Sequence, residues 1–302
     1  MNVSSLFLLL STLFCLLCDP VSAQTLRFTW EGVLGREGEE SGAFSHPSSI
    51  AADPAGNLYI ADTGNHRIRS FDRDGQIVAE TSGFGLQTRQ FTNPMAVAAT
   101  GLDVYAADTQ NRRVIRMDRK LNLLGMVMGD DPENRFGCIR GIAVSTEGDI
   151  YLSDTENEEI VRLGASRQVE ARFGGLGDGE GRLSRPSGVA VDRDGNVFVA
   201  DTGHHRIAVF DAFGGYVGEL GKETLKAPEG VAVDEAGWVY VADTGNHRIV
   251  ALSRDGLILV AFGAEGKGPG TFRAPNDIAV LPDGRVFVAD TGNHRICRLV
   301  VQ

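Results

Sequence analysis

The chain lacks most of what a compact exported domain or a familiar hydrolase would carry. Only four of its 302 residues are cysteine, and two of them, Cys15 and Cys18, fall within the first 23 positions. The other pair, Cys138 and Cys297, is too sparse for a disulfide-stapled miniature fold. There is no Gly-x-Ser-x-Gly elbow and no His-Glu-x-x-His motif, which removes two common hydrolase signatures. The Gly-rich stretches 173–181 and 262–270 tempt a phosphate reading, but Gly266-Lys267 is not followed by Ser or Thr. Neither stretch opens a helical pattern, so both read as loops. No run after residue 23 is long and apolar enough to cross a bilayer, which takes roughly 20 helical residues. Basic residues are in deficit, with 29 Lys and Arg against 40 Asp and Glu, a net charge of −11. That balance argues against a nucleic-acid partner, whose phosphates need a basic face. No Asn-x-Ser/Thr sequon follows the one at Asn2.

What is present begins with a leader. Leu6–Leu17 is an apolar core broken only by Ser11 and Thr12, and Val21-Ser22-Ala23 offers small residues for cleavage before Gln24. Residues 1–23 are therefore expected to be a signal peptide. Cys15 and Cys18 lack the preceding small residues of a lipoprotein signal, so release rather than a lipid anchor is expected. The only charged side chain in this segment is Asp19, so its removal leaves a net charge of −10.

The rest of the chain is organised by one string, Asp-Thr-Gly-Asn-His-Arg. It stands in full at 62–67, 243–248 and 290–295, with near-copies at 108–113, 154–159 and 201–206. Successive copies start 46, 46, 47, 42 and 47 residues apart. Such a period marks a repeat architecture. Each unit holds apolar runs of four to six residues rich in Val, Ile, Phe and Tyr, separated by Gly, Asp, Asn and Pro. That pattern predicts four short strands per unit, and their nearly continuous apolar character predicts sheets covered on both faces. Six such units predict an all-β, six-bladed propeller over residues 24–302. The sixth unit stops after its third strand, whereas Leu26–Trp30 has the pattern of a fourth. The N-terminal segment is therefore expected to complete the last blade and close the ring.

At these residues the chain resembles the NHL-repeat family, through the Asn65-His66-Arg67 core and its recurrences. Tyr59–Asp62 and Tyr240–Asp243 also resemble the YWTD motif of another six-bladed family, but the Gly-Asn-His-Arg continuation favours NHL. The resemblance implies a six-bladed propeller. It leaves function open, because some relatives bind RNA, some bind proteins, and the amidating lyases hold a metal on a similar propeller.

Within the hexapeptide, the Asp is expected to accept turn N–H groups and the Gly to supply a positive φ. The Arg is expected to pair with a carboxylate or carbonyl of a neighbouring blade. This assigns a structural role to Asp62, Arg67, Asp108, Arg113, Asp154, Asp201, Arg206, Asp243, Arg248, Asp290 and Arg295. His66, His205, His247 and His294 share one offset on separate blades, which argues against a common zinc ion.

Function is sought where the repeats disagree. Just after the proline position of each unit, which is Ile139 in the third, and at the mouth of the central channel stand Ser48, Met95, Arg140, Ser187, Glu229 and Asn276, with Asp277 beside the last. Loops at one end of such scaffolds carry binding. Glu229, Asn276 and Asp277 offer oxygen donors suited to Ca²⁺ or another divalent ion. A second feature is acidic: Asp130, Asp131 and Glu133 precede Glu156, Glu158 and Glu159, which replace the usual residues in the third unit. This sector is expected to receive a cation or a basic partner. The sequence thus predicts an exported, monomeric binding scaffold for a protein, peptide or glycan. The alternative is a metal-dependent hydrolase or lyase with its site at the channel mouth, lactonase-like or amidating-lyase-like. Cys138 and Cys297 lie on opposite blades and are expected to be free thiols.

Overall fold

The computed structural model describes residues 26–81, 83, 85–87, 89–128 and 136–302. The expected signal peptide, and Asp130, Asp131 and Glu133, lie outside the described residues. Among these residues twenty-four strands form six antiparallel sheets of four, the blades of a propeller. Blade 1 runs from inside to outside as Pro47–Ala52, Leu58–Asp62, Arg67–Phe71 and Ile77–Glu80. The strands are short because turn chemistry interrupts them. The Asp53 carboxylate accepts the N–H groups of Ala55 and Asn57 at 2.9 Å, and Gly56 takes φ +86°. Asp72, Asp118, Asp192, Asp211 and Asp234 repeat the device.

The core does not lie at the centre of the molecule. Among the described residues it forms six apolar clusters, each shared by two neighbouring blades. Second strands such as Leu58–Asp62 and Val239–Asp243 are buried along their whole length, which accounts for their unbroken apolar runs. Outer strands such as Ile77–Glu80 remain largely exposed.

The ring closes as the repeat count predicts. Phe28–Leu34 pairs antiparallel with Arg295–Val301, with Phe28 opposite Val301 and Leu34 opposite Ile296. Phe28 packs against Tyr240 and Phe262 with ring centroids 6.2 and 6.0 Å apart, and Trp30 lies 6.2 Å from Phe272. The terminal strand is thereby fixed by aromatic burial as well as by its ladder.

The hexapeptide forms a single 3-10 turn between the second and third strands, except in blade 3, where it is a plain turn. Its six aspartates are fully buried. In blade 1, Asp62 accepts Ser45 N–H at 2.7 Å through Oδ1, and Asn65 Nδ2 at 2.9 Å and Arg67 Nε at 2.8 Å through Oδ2. Asp108, Asp201, Asp243 and Asp290 likewise hold Arg113, Arg206, Arg248 and Arg295 at 2.6–2.8 Å. Two expectations are corrected here. The arginine pairs with the aspartate of its own hexapeptide, and reaches back to the preceding loop only through its outer nitrogens, as from Arg113 to Gln90 O at 2.9 Å. The positive φ belongs to the histidine position, +54° at His66 and +56° at His294, and not to the glycine. The glycine is needed for close approach: a Cβ at Gly64 would stand 2.7 Å from the carbonyl oxygen of Ser45.

Two further kinds of contact join neighbouring blades. The hexapeptide threonine donates to the carbonyl at the start of the following inner strand, as from Thr63 to Pro94 O at 2.6 Å and from Thr291 to Pro47 O at 2.6 Å. Thr109, Thr155, Thr202 and Thr244 do the same, completing a ring of six. The histidine accepts, at Nδ1, the N–H of the residue before the next proline. His66 takes Asn93 at 3.1 Å, His205 takes Ala227 at 2.9 Å, His247 takes Ala274 at 3.0 Å and His294 takes His46 at 3.1 Å. Each imidazole thus serves a blade joint. Blades 2 and 3 put Arg112 and Glu158 at this left-handed position, so both joints of blade 3 lack the imidazole.

Candidate functional site

The innermost strands lie side by side around a channel, with Pro275–Val280 against Pro47–Ala52. Ser48, Met95, Arg140, Ser187, Glu229, Asn276 and Asp277 all line one cavity of about 270 Å³. The structure therefore brings every predicted mouth residue together. Below them the walls are Ala and Val from all six blades, for example Ala51, Val97 and Val189.

The mouth is not symmetric. Arg140 of blade 3 reaches past blade 4 to Glu229 of blade 5, Nη2 to Oε2 at 3.1 Å. Their side chains are 28% and 21% exposed, so the pair sits in the opening rather than in bulk solvent. Among the described residues Arg140 uses one donor, and its Nε is buried without a partner. Ser48 is committed, its hydroxyl bonded to Met95 O at 2.9 Å. The side chains of Asn276 and Ser187 have no hydrogen-bond partner among the described residues.

Asp277 is set below the mouth in the channel wall. Its Oδ2 accepts Ser49 Oγ at 2.7 Å and Ile50 N–H at 3.0 Å, and its Oδ1 accepts the Ile278 N–H at 2.9 Å. Ser49 Oγ in turn accepts Val97 N–H at 3.2 Å, so the chain of bonds crosses blades 6, 1 and 2. Desolvation pushes the Asp277 pKa up to about 6, against the lowering effect of these bonds. Sequence reasoning missed Ser49. The available signal was that Ser49 and Asp277 are the polar exceptions at a position held elsewhere by Ala96, Gly141, Gly188 and Gly230. The glycines are required by contact: a Cβ at Gly188 would lie 2.7 Å from Glu229 O.

The residues named for a divalent cation do not fit one. Glu229 faces a guanidinium, and both oxygens of Asp277 are engaged by donors from the protein. Among the described residues no group of three or more His, Cys, Asp or Glu stands close enough to hold a metal.

Of the acidic sector, the described Glu156 and Glu159 are paired within the chain. Arg112 of blade 2 holds Glu156 at 3.1 Å. Glu159, at the place of the usual arginine, is paired with Arg172 on the outer strand of its own blade. Blade 4 has the same geometry with the charges exchanged, Arg206 against Glu219. In both, the partners are 13 residues apart in sequence. Asp154 consequently keeps Gly137 N–H at 2.7 Å and Asn157 Nδ2 at 2.8 Å but has no arginine. Among the described residues of this sector, Glu158 Oε2 is buried without a hydrogen-bond partner. Cys138 is an exposed thiol and Cys297 a buried one, both free. Burial pushes both thiols upward, away from the thiolate.

Comparison with known proteins agrees with this geometry. The NHL repeat family matches residues 44–71, 183–210, 225–252 and 272–299. The chain is 33% identical over 72 residues to the RING finger protein nhl-1 of Caenorhabditis elegans, a match covering 24% of this chain and 7% of that protein. It is 34% identical over 64 residues to the Protein brain tumor of Drosophila melanogaster, covering 21% of this chain and 6% of that protein. The chain thus aligns with less than a tenth of the length of these relatives. Among solved structures, a virginiamycin B lyase from Staphylococcus aureus superposes with TM-score 0.62 at 13% identity, covering 91% of this chain and 99% of the other. An auxiliary nutrient binding protein from Bacteroides thetaiotaomicron does so with TM-score 0.70 at 14% identity, covering 91% and 77%. At such identities these two speak for the fold alone. Among the described residues no helix is long and apolar enough to cross a membrane. Register, ring closure and repeat matches converge: this chain is a six-bladed β-propeller, and four of its blades carry NHL repeats.

Proposed function

We propose that the chain is an exported binding module whose loop-bearing face, centred on the channel mouth, takes a protein, peptide or glycan. One observation carries this reading. The positions at which the repeats differ are gathered around a single cavity, and several of their polar groups are unused. A scaffold has no need of unpaired donors at its centre, because each costs free energy when shielded from water. Export rests on the leader at residues 1–23 and is tested by sequencing the N-terminus of the secreted chain, which should begin at Gln24.

Binding is tested by presenting the full mature chain to peptide and glycan arrays. Ligands should be retained by the wild type and lost on Arg140→Gln. They should be unaffected by Lys120→Ser, on the exposed turn face at the other end of the channel. Loss on Lys120→Ser with no effect of Arg140→Gln, or no retained ligand at all, would overturn the reading.

A further inference from the structure

The chemistry of the mouth narrows the ligand, given the reading that the mouth binds at all. We infer that the channel mouth captures an α-carboxylate bearing an apolar side chain, with the carboxylate on Arg140 and the side chain in the alanine- and valine-walled shaft below. Four observations lead there.

The first is the state of Arg140. A guanidinium offers five donors in a planar fork, and this one uses a single Nη2 bond to Glu229. Its Nε is buried and unpaired. A carboxylate binding across Nε and Nη2 would satisfy both at once, which the one oxygen supplied by Glu229 does not. Glu229 would then be the internal placeholder, displaced when a better-shaped anion arrives. The second is the neighbourhood. Asn276 and Ser187 flank the pair with side chains that have no partner among the described residues. An amide can accept the ligand's own N–H.

The third is volume. About 270 Å³ falls just under the range of roughly 300–1,000 Å³ typical of drug-sized ligands. That favours one small molecule or one chain end over a folded surface. The fourth is the shaft. Its lining changes from polar at the mouth to Ala51, Val97, Val189 and Val231 below, with Asp277 turned away into bonds with Ser49 and Ile50. An apolar side chain can enter without stranding a polar group.

A peptide C-terminus and a free amino acid share this chemistry, and the experiment separates them. Three probes are titrated into the mature chain by calorimetry: Ala-Ala-Ala-Val with a free carboxylate, the same peptide as its C-terminal amide, and free valine. The tetrapeptide acid should bind and the amide should bind at least about tenfold more weakly. Valine binding as tightly as the tetrapeptide would assign the site to a free amino acid, and weaker valine binding would assign it to a chain end. Arg140→Gln should weaken the acid by at least about tenfold, whereas Glu229→Gln should tighten it severalfold by removing the competitor. A merely structural ion pair would give both substitutions the same sign. Thermal melts of both variants check that they fold, and Arg140→Lys, which keeps the charge without the fork, should bind with intermediate affinity. Equal binding of acid and amide, or weakening by Glu229→Gln, would overturn the inference. If the probes fail while array ligands are still lost on Arg140→Gln, the carboxylate assignment falls and the binding-module reading stands.

Discussion

A single residue at the last joint shows how the channel wall responds to pH. Asp277 holds Ser49 and Ile50 of blade 1, and its pKa of about 6 lies above the ordinary 3.8. A carboxyl whose folded pKa is raised stabilises fully below its unfolded value, and that stabilisation is lost as pH rises through about 6. His294 at the same joint has the opposite sign. Burial and the neighbouring His46, its ring 4.1 Å away, lower its pKa below 6.5, so its contribution is present above 6.5 and falls on acidification. An asparagine at 277 keeps the size and cannot ionise. The Asp277→Asn variant should melt a few degrees higher than the wild type at pH 7.5, with the gap closing toward about pH 4. A gap that does not change with pH would show that ionisation of Asp277 is not its cause.

Blade 3 shows the same logic at the scale of an element. Its sequence departs furthest from the repeat, yet its four strands keep their order and register. The departure is absorbed pairwise, with Glu159 against Arg172 where blade 4 has Arg206 against Glu219. Restoring the repeat by Glu158→His and Glu159→Arg alone would set two guanidiniums together. That double variant should lose about 0.5–1 kcal/mol, read as a lower urea midpoint. Adding Arg172→Glu should recover the loss, because the arginine introduced at position 159 would then face a carboxylate, as Arg206 faces Glu219. No recovery would refute the exchanged-pair account. The acidic run was legible in the sequence, but the pairing of Glu156 and Glu159 was not. Arg172 answers Glu159 through strand register, and Arg112 answers Glu156 from another blade. For the same reason the repeating string hid which of its residues is left-handed: recurrence fixes that a turn exists, not which φ each member takes. The mouth was easier to find, since disagreement among six aligned positions is visible without coordinates. That Arg140 reaches Glu229 across an intervening blade, and that Ser49 joins Asp277, depend on side-chain reach and were not readable.

At the scale of the whole molecule, stability is distributed over six joints, each with its own apolar cluster and threonine bond. The joints beside blade 3 have no imidazole bond, and the joint of blade 6 depends on a strand from the far end of the chain. Deleting Leu26–Leu34 would strip Phe28 and Trp30 from their aromatic partners and leave Arg295–Val301 as an open apolar edge. Loss of soluble monomer in size-exclusion chromatography is expected, and near-normal melting of a soluble monomer would refute the closure role. The pairing of Phe28 with Val301 also bears on how the chain acquires its shape. Blades 1 to 5 are each contiguous in sequence, so their hairpins can form locally and early as synthesis proceeds. Blade 6 cannot, because its outer strand is synthesised before blades 1 to 5 and its other three strands after them. That strand must stay unpaired until blades 1 to 5 have been made, and its capture closes a contact of very large sequence separation. The step that completes the circle should therefore be the slowest, and it marks the interval in which the nascent protein most needs protection from its own exposed edge.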